Sequence, residues 1–244
     1  MTTCFRLIRA LVLLASWVVA NGAFAQFSPI GQWECSVSGR IGGTSTPGTA
    51  YVEFQEDGTI SGFALLRNAS DVYELQGTWE LGGRRVSGLI AASPDDGLTE
   101  LSFVFSGSAR QGQSLSLRCT SEFGDRLSLS GRTPAALPDV AGDYVGTFRS
   151  NGVTGILQLT VNSAAGKGFG AAGLLEVSGF AEAGGQESEL SGWVIIDRRG
   201  SFVLCLFSSS GSTISLSGRF RPYGPMTASG MDLTDGVRVS ARFE

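Results

Sequence analysis

Few side chains in this sequence could catalyse a reaction, because its 244 residues include no histidine. Histidine is the commonest general base at neutral pH, so its absence excludes Ser-His-Asp and Cys-His mechanisms. Carboxylate pairs remain, and Glu53 with Glu74, or Glu80 with Glu100, would act as acid and base on a glycosidic bond if they met across a sheet. A carboxylate-dependent glycosidase is therefore one alternative. The other interpretation is that these residues occupy the solvent faces of strands.

Three cysteines follow the first 25 residues, namely Cys35, Cys119 and Cys205. They lack the C-x-x-C spacing of a zinc site, so we expect neither a metal nor a cofactor. In an oxidising compartment an odd number leaves one pair and one remainder, and spacing alone does not decide which two join. Because Cys35 and Cys119 lie on predicted inward strand faces of the same half, we predict a disulfide between them. Three buried thiols are the alternative.

Residues 1–25 have the pattern of a secretory signal peptide. Arg6 and Arg9 precede an apolar stretch over residues 10–20, and Ala23-Phe24-Ala25 has the small-x-small form that a signal peptidase cleaves. We therefore predict a periplasmic or secreted protein. No later apolar run is long enough to predict a transmembrane helix. The chain has a net charge of −4, and its sequence has no run of like charges. The lack of a basic run argues against a nucleic-acid partner.

Alternation of apolar and polar residues recurs through the rest of the chain and predicts half-buried β-strands. Leu115-Ser-Leu-Arg-Cys119 is one example. Pairs such as Asp57-Gly58 and Asn151-Gly152 separate these runs, and they favour the tight turns of hairpins. Eight strands of the first half are predicted to begin near these residues: Gly31, Ala50, Thr59, Val72, Arg84, Leu98, Ser114 and Arg126.

Three segments recur in the same order in the second half, which indicates an internal duplication. The matching pairs are Pro29-Ile-Gly-Gln-Trp33 with Val140-Ala-Gly-Asp-Tyr144, Glu74-Leu-Gln-Gly-Thr-Trp79 with Glu189-Leu-Ser-Gly-Trp193, and Leu127-Ser-Leu-Ser-Gly-Arg132 with Val237-Arg-Val-Ser-Ala-Arg242. Eight antiparallel strands in sequence order hide both sheet edges by closing into an up-and-down barrel. We therefore predict an all-β chain with a first barrel over residues 26–132, a proline-containing linker over 133–139, and a second barrel over 140–244.

Closure of each barrel predicts that Trp33 meets Arg132 and that Tyr144 meets Arg242, since first and last strands become neighbours. An opening Gly31-Gln-Trp33 with an arginine from the last strand resembles the calycin barrels, the lipocalins and avidins. The second half departs from that pattern by carrying Tyr144 in place of the tryptophan. The resemblance implies that each aromatic and arginine pair is a structural plug and that a ligand cup opens at the opposite end. It does not identify a ligand.

One hairpin breaks the alternation, since Trp193-Val-Ile-Ile196 and Phe202-Val-Leu-Cys-Leu-Phe207 are apolar on both faces. A strand that is buried on both sides needs cover outside the barrel as well as inside. We therefore predict an interface with the first barrel or with another chain. Its predicted residues are Trp193, Val194, Ile196, Phe202 and Phe207.

These observations together predict an exported, non-catalytic protein that binds a small apolar ligand in a barrel cup, or else another envelope component. The candidate cup residues are the aromatics Tyr51, Phe63, Tyr73 and Phe103, for which packing in the core is the alternative. A different alternative is an outer-membrane β-barrel of up to 16 strands, because Phe243 lies close to the C-terminus, where such barrels often carry an aromatic residue.

Overall fold

The structure is a computed structural model that describes residues 27–67, 72–94, 100–134, 140–162, 173–221 and 225–244. These ranges contain β-strands joined by turns and loops, numbered β1 to β17 along the chain. Within them, no helix has the length and apolarity needed to cross a membrane.

The first barrel closes through β1 and β3 to β9, which are arranged in sequence order and are antiparallel throughout. Its strands are β1 (Gly31–Ile41), β2 (Thr44–Ser45), β3 (Gly48–Phe54), β4 (Thr59–Leu66), β5 (Val72–Gly82), β6 (Arg85–Pro94), β7 (Leu101–Arg110), β8 (Ser114–Ser121) and β9 (Arg126–Arg132). The short β2 only extends the sheet beside the end of β1. The closing seam joins β9 to β1, from Glu34 opposite Arg132 to Arg40 opposite Arg126.

The second barrel repeats this arrangement with eight strands and no extra extension. Its strands are β10 (Gly142–Ser150), β11 (Val153–Asn162), β12 (Leu174–Ala183), β13 (Gln186–Ile196), β14 (Ser201–Ser208), β15 (Thr213–Arg219), β16 (Met226–Asp232) and β17 (Val237–Phe243). The closing seam joins β17 to β10, from Gly146 opposite Phe243 to Ser150 opposite Val239.

The predicted fold class and the predicted duplication are confirmed, since two closed antiparallel barrels of eight strands follow one another along the chain. The predicted strand starts of the first half agree with the observed ones to within three residues. A single barrel of up to 16 strands is wrong, because the last strand of each half pairs with the first strand of the same half.

Alternation along most strands produces an apolar interior and a polar exterior. On β9, Leu127 and Leu129 are buried inside the barrel, whereas Ser128 and Ser130 are exposed. Each barrel therefore has a hydrophobic core of its own. Burial of such side chains contributes about 1.5–3 kcal/mol each, which is the main stabilising term of this fold.

Candidate functional site

Both barrels enclose an apolar cavity of about 50 Å³. In the first barrel the cavity lies at the end opposite Trp33, and Tyr73 and Phe103 contribute to its lining. In the second barrel it lies at the other end, beneath Tyr144 and Phe220. Pockets for drug-sized ligands measure about 300–1,000 Å³, so the side chains of each barrel fill most of the space that a ligand would need.

Two of the four predicted cup residues lie outside the barrel, and this corrects the prediction. Tyr51 and Phe63 are only 2% and 3% exposed, with ring centroids 5.4 Å apart, but they pack between the two barrels. The reason is the strand alternation: β3 directs Ala50 and Val52 into the first core, so Tyr51 points outward.

The aromatic residues at the start of each barrel make equivalent hydrogen bonds. The indole N–H of Trp33 donates to the carbonyl of Pro29 at 2.6 Å. The hydroxyl of Tyr144 donates to the carbonyl of Val140 at 2.7 Å. Both bonds span four residues, so the two halves fix the chain before the first strand in the same way, although the second half uses a different side chain.

The strand register places both plug arginines on the outer faces of their barrels, and their contacts with Trp33 and Tyr144 stay predictions. Arg132 faces Glu34 across the seam and is exposed, whereas Trp33 points into the barrel. Arg242 is likewise exposed and faces Thr147. Gly131 and Ala241, which precede these arginines, face inward, so the arginines point outward because side chains alternate along a strand. A cation-π contact does occur elsewhere, where the guanidinium of Arg84 lies 5.0 Å from the ring centroid of Phe27.

The predicted disulfide is wrong, since Cys35 and Cys119 are buried free thiols. Strand β9 lies between their strands, with Cys35 opposite Gly131 and Cys119 opposite Leu127. Two strand spacings amount to about 10 Å, beyond the roughly 7 Å that a disulfide spans between Cα atoms. Burial raises the pKa of the Cys119 thiol to about 12 and also raises the pKa of Cys35, so neither forms a reactive thiolate at neutral pH.

An apolar cluster joins the two barrels. It consists of Tyr51, Phe63, Leu65 and Val72 from the first barrel with Leu174, Ile195, Val203 and Cys205 from the second. The Tyr51 hydroxyl donates to the carbonyl of Ile196 at 2.7 Å. Gly173 has a φ of +70° and lies so close to the Tyr51 ring that a Cβ at this position would collide with it. The contact is therefore tightly packed around Tyr51.

The structure divides the five predicted interface residues between two environments. Trp193 and Phe207 are half-buried and pack against the cluster between the barrels. Val194, Ile196 and Phe202 instead line the cavity of the second barrel, which corrects the prediction for these three. Both faces of this hairpin are buried. Successive residues point alternately into the second barrel and towards the contact between the barrels.

The carboxylate of Glu34, beside the contact between the barrels, has a hydrogen-bond partner for only one of its two oxygens. Glu34 Oε1 accepts the backbone N–H of Arg198 at 3.4 Å, while Oε2 is buried and accepts no hydrogen bond. Burial raises the pKa of Glu34, and nearby Asp197 raises it further, although Arg198 opposes both effects. The charged form of Glu34 is therefore disfavoured in the folded protein.

The carboxylate pairs considered for glycosidase chemistry do not form. Glu53 and Glu74 lie on β3 and β5, with β4 between them and a register offset of two residues. Glu80 lies near the hairpin end of β5 beside Ser87, whereas Glu100 precedes β7 at the other end of the barrel. Over the described ranges, no group of three or more Cys, Asp or Glu side chains is arranged to hold a metal ion.

A concavity of about 750 Å³ on the outside of the second barrel is lined by three arginines. Arg149 and Arg238 come from the closing seam of the second barrel, and Arg67 follows β4 of the first barrel. No carboxylate of the described residues lines it. This surface, which we call the basic concavity, presents hydrogen-bond donors from both barrels in a chain whose net charge is −4.

A row of hydroxyl groups runs across the basic concavity. Ser217, Ser229 and Ser240 are successive partners on β15, β16 and β17, and Ser240 faces Arg149 across the seam. Arg238 lies two residues from Ser240 and therefore on the same face of β17. This surface was not predicted, because its arginines lie far apart along the chain and meet only through barrel closure and docking of the two barrels.

Comparisons with known proteins identify no family. No protein-family model matches the chain, and no curated protein matches it. A structure titled "Crystal structure of MucB in complex with MucA(peri)" aligns with 94% of this chain and 92% of that one, at 11% identity and a TM-score of 0.20. A TM-score this low carries no argument about fold or function.

Proposed function

We propose that this chain is an exported, non-catalytic binding protein that holds an acidic polysaccharide of the cell envelope in the basic concavity. The observation that carries the proposal is the convergence of Arg67, Arg149 and Arg238, from two barrels, on one open surface without a lining carboxylate among the described residues. Export rests on the predicted signal peptide, which lies outside the described residues.

The chemistry of the lining favours an anion. Guanidinium groups only donate, and their planar fork matches the two oxygens of a carboxylate or a sulfate. Asn151 and the serine row add neutral donors and acceptors beside the arginines. Hydrogen bonds to charged groups contribute about 1.5–3 kcal/mol each, so two or three such contacts give measurable affinity.

The size and polarity of the surface favour a polymer of sugars over a single small anion. The basic concavity of about 750 Å³ far exceeds the space of one carboxylate or sulfate group. The serine hydroxyls suit the hydroxyl groups of sugars. Among the described lining residues, only Met231 offers an apolar side chain to this outer surface, because Val239 points into the second core. This disfavours an acyl chain or an apolar peptide.

Three observations disfavour the other functions considered. A small apolar ligand has little room in cavities of about 50 Å³. The carboxylates needed by a glycosidase lie on separate strands or at opposite barrel ends. An outer-membrane barrel needs an apolar outer band, whereas β8 and β9 direct Ser116, Arg118 and Ser128 outward.

The proposal is tested by measuring binding to dextran sulfate, with uncharged dextran as the matched polymer control. We expect binding to dextran sulfate alone and a steep loss of affinity with added salt. The substitution Arg149→Gln with Arg238→Gln should weaken binding at least about tenfold, since a contact of about 1.4 kcal/mol corresponds to a factor of ten. Equal binding to both polymers, or no binding to either, would contradict the proposal.

The control variant carries Arg85→Gln with Arg110→Gln, which removes the same charge from exposed positions outside the basic concavity. Its affinity should remain close to that of the wild type. If both double variants lose affinity equally, binding follows net charge and the basic concavity is not the site.

A further inference from the structure

The closing seam of the first barrel also places like charges together. Arg40 and Arg126 are direct partners across β1 and β9, and both side chains are exposed. Arg118 lies diagonally across from Arg126, because its neighbour Thr120 is the direct partner of Arg126. Like charges on directly opposite strand positions destabilise a sheet, so this arrangement does not follow from the needs of the fold.

No carboxylate of the described residues forms an ion pair with these three arginines. The nearest in sequence, Asp125, has both oxygens engaged: Oδ1 accepts the N–H of Gly42 at 2.9 Å and Oδ2 accepts the Ser121 hydroxyl at 3.1 Å. The seam arginines therefore keep their donors available for an external anion.

Hydroxyl groups accompany these arginines, as they do in the basic concavity. Ser128 lies between Arg118 on β8 and Ser38 on β1 as a direct partner of both. One row further along, Ser116, Ser130 and Ser36 are successive partners. The outer face of β8, β9 and β1 thus combines guanidinium and hydroxyl donors. In the second barrel these three strands correspond to β16, β17 and β10, which carry the basic concavity.

We propose that the seam cluster of Arg40, Arg118 and Arg126 is a second binding site for the same acidic polysaccharide. This inference rests on the proposed function of the basic concavity and adds that one molecule engages two segments of polymer. Linking two sites in one chain raises avidity by about 10²- to 10⁴-fold when a polymer reaches both. A short anionic fragment gains no such enhancement and instead fills the two sites separately.

Isothermal titration with sucrose octasulfate, a small sulfated sugar, counts the sites on the full mature chain. We expect two equivalents for the wild type and one equivalent for Arg40→Gln with Arg126→Gln. One equivalent is also expected for Arg149→Gln with Arg238→Gln, and none when the four substitutions are combined. For dextran sulfate, either double variant should lose at least 100-fold in affinity, and the control variant Arg85→Gln with Arg110→Gln should change little.

The outcomes separate this inference from the function on which it rests. A wild-type stoichiometry of one that persists in Arg40→Gln with Arg126→Gln would overturn the second site and leave the basic concavity intact. Absence of binding to any sulfated sugar would overturn both. Binding to phosphatidylglycerol vesicles without binding to dextran sulfate would assign the arginines to a lipid surface instead. Thermal unfolding of Arg126→Gln checks folding, and relief of repulsion should leave its melting temperature unchanged or higher.

Discussion

The two barrels differ by one residue at a position where the sequence repeats. Leu75 and Gly77 on β5 correspond to Leu190 and Gly192 on β13, but Thr78, which follows Gly77, has no counterpart in the second half. Trp79 is therefore two residues beyond its glycine, whereas Trp193 is one. Because side chains alternate between the faces of a strand, one residue fewer directs the second tryptophan to the opposite face.

The consequence is a different role for the same side chain. Trp79 points into the first barrel, where its ring lies 6.0 Å from that of Phe54 and its N–H donates to the carbonyl of Gln55 at 3.0 Å. Trp193 points outward and packs in the contact between the barrels. The difference of one residue thus places the same side chain in the core of the first barrel and, in the second half, in the contact between the barrels.

The largest expected effect is that of Trp33→Ala, which removes the plug of the first barrel. Trp33 is 2% exposed, and truncating such a side chain costs about 3–5 kcal/mol. Denaturant unfolding is followed by tryptophan fluorescence in a Trp79→Phe background, where Trp193 is left to report on the second barrel. We expect early unfolding of the first barrel with the second retained, and simultaneous loss of both would show that neither barrel is stable alone.

The neighbours Val194 and Ile195 provide a test of the two faces of β13. Val194 lines the second barrel, so Val194→Ser should cost about 2–5 kcal/mol through a cavity and a buried hydroxyl. Ile195 packs between the barrels, so Ile195→Ser should weaken docking while the second barrel stays folded. Circular dichroism and small-angle scattering on the same samples separate these results. Reversed outcomes would contradict the assigned register.

A smaller effect is expected for Tyr51→Phe, which keeps the ring in the contact but removes the hydrogen bond to Ile196. A buried carbonyl without its partner costs about 1–3 kcal/mol. Weaker docking of the barrels should appear in small-angle scattering as a larger radius of gyration. Phe63→Leu is the matched control for loss of packing area, and it should leave the hydrogen bond intact.

The smallest effect should come from Glu34→Gln. The folded-state pKa of Glu34 is raised above 4.5, so the stability of the wild type is full below that pH and falls as pH rises through the raised value. The variant should lack this loss and melt higher at pH 7. Solvent screening limits the gain to about 1 kcal/mol or less, roughly 2–4 °C for a chain of this size. If the difference in melting temperature between the variant and the wild type were the same at pH 4 and at pH 7, the effect would be excluded.

Local patterns were sufficient to predict the barrels, because a two-residue period and glycine turns specify strands and hairpins directly. They also indicated that the hairpin from Trp193 to Phe207 is buried on both faces. Assigning a given side chain to a face was less secure, as Tyr51, Phe63 and the plug arginines illustrate. A shift of one residue reverses the face, and a single sequence does not fix the register between distant strands.

The basic concavity was beyond prediction for a related reason. Arg67, Arg149 and Arg238 are separated by more than eighty residues each, and their proximity depends on barrel closure and on docking of the two halves. A scan for runs of like charge therefore suggested no anionic partner. Charge on β-proteins needs to be counted across strands after the fold is known.

The contact between the barrels also bears on how such molecules assemble with one another. It joins β3 to β5 of the first barrel with β12 to β14 of the second, and β4 and β5 are the counterparts of β12 and β13. Largely equivalent faces therefore meet, as in a two-fold contact, which closes on itself. Neither face is left free for a third barrel, so growth through this contact stops within a single chain.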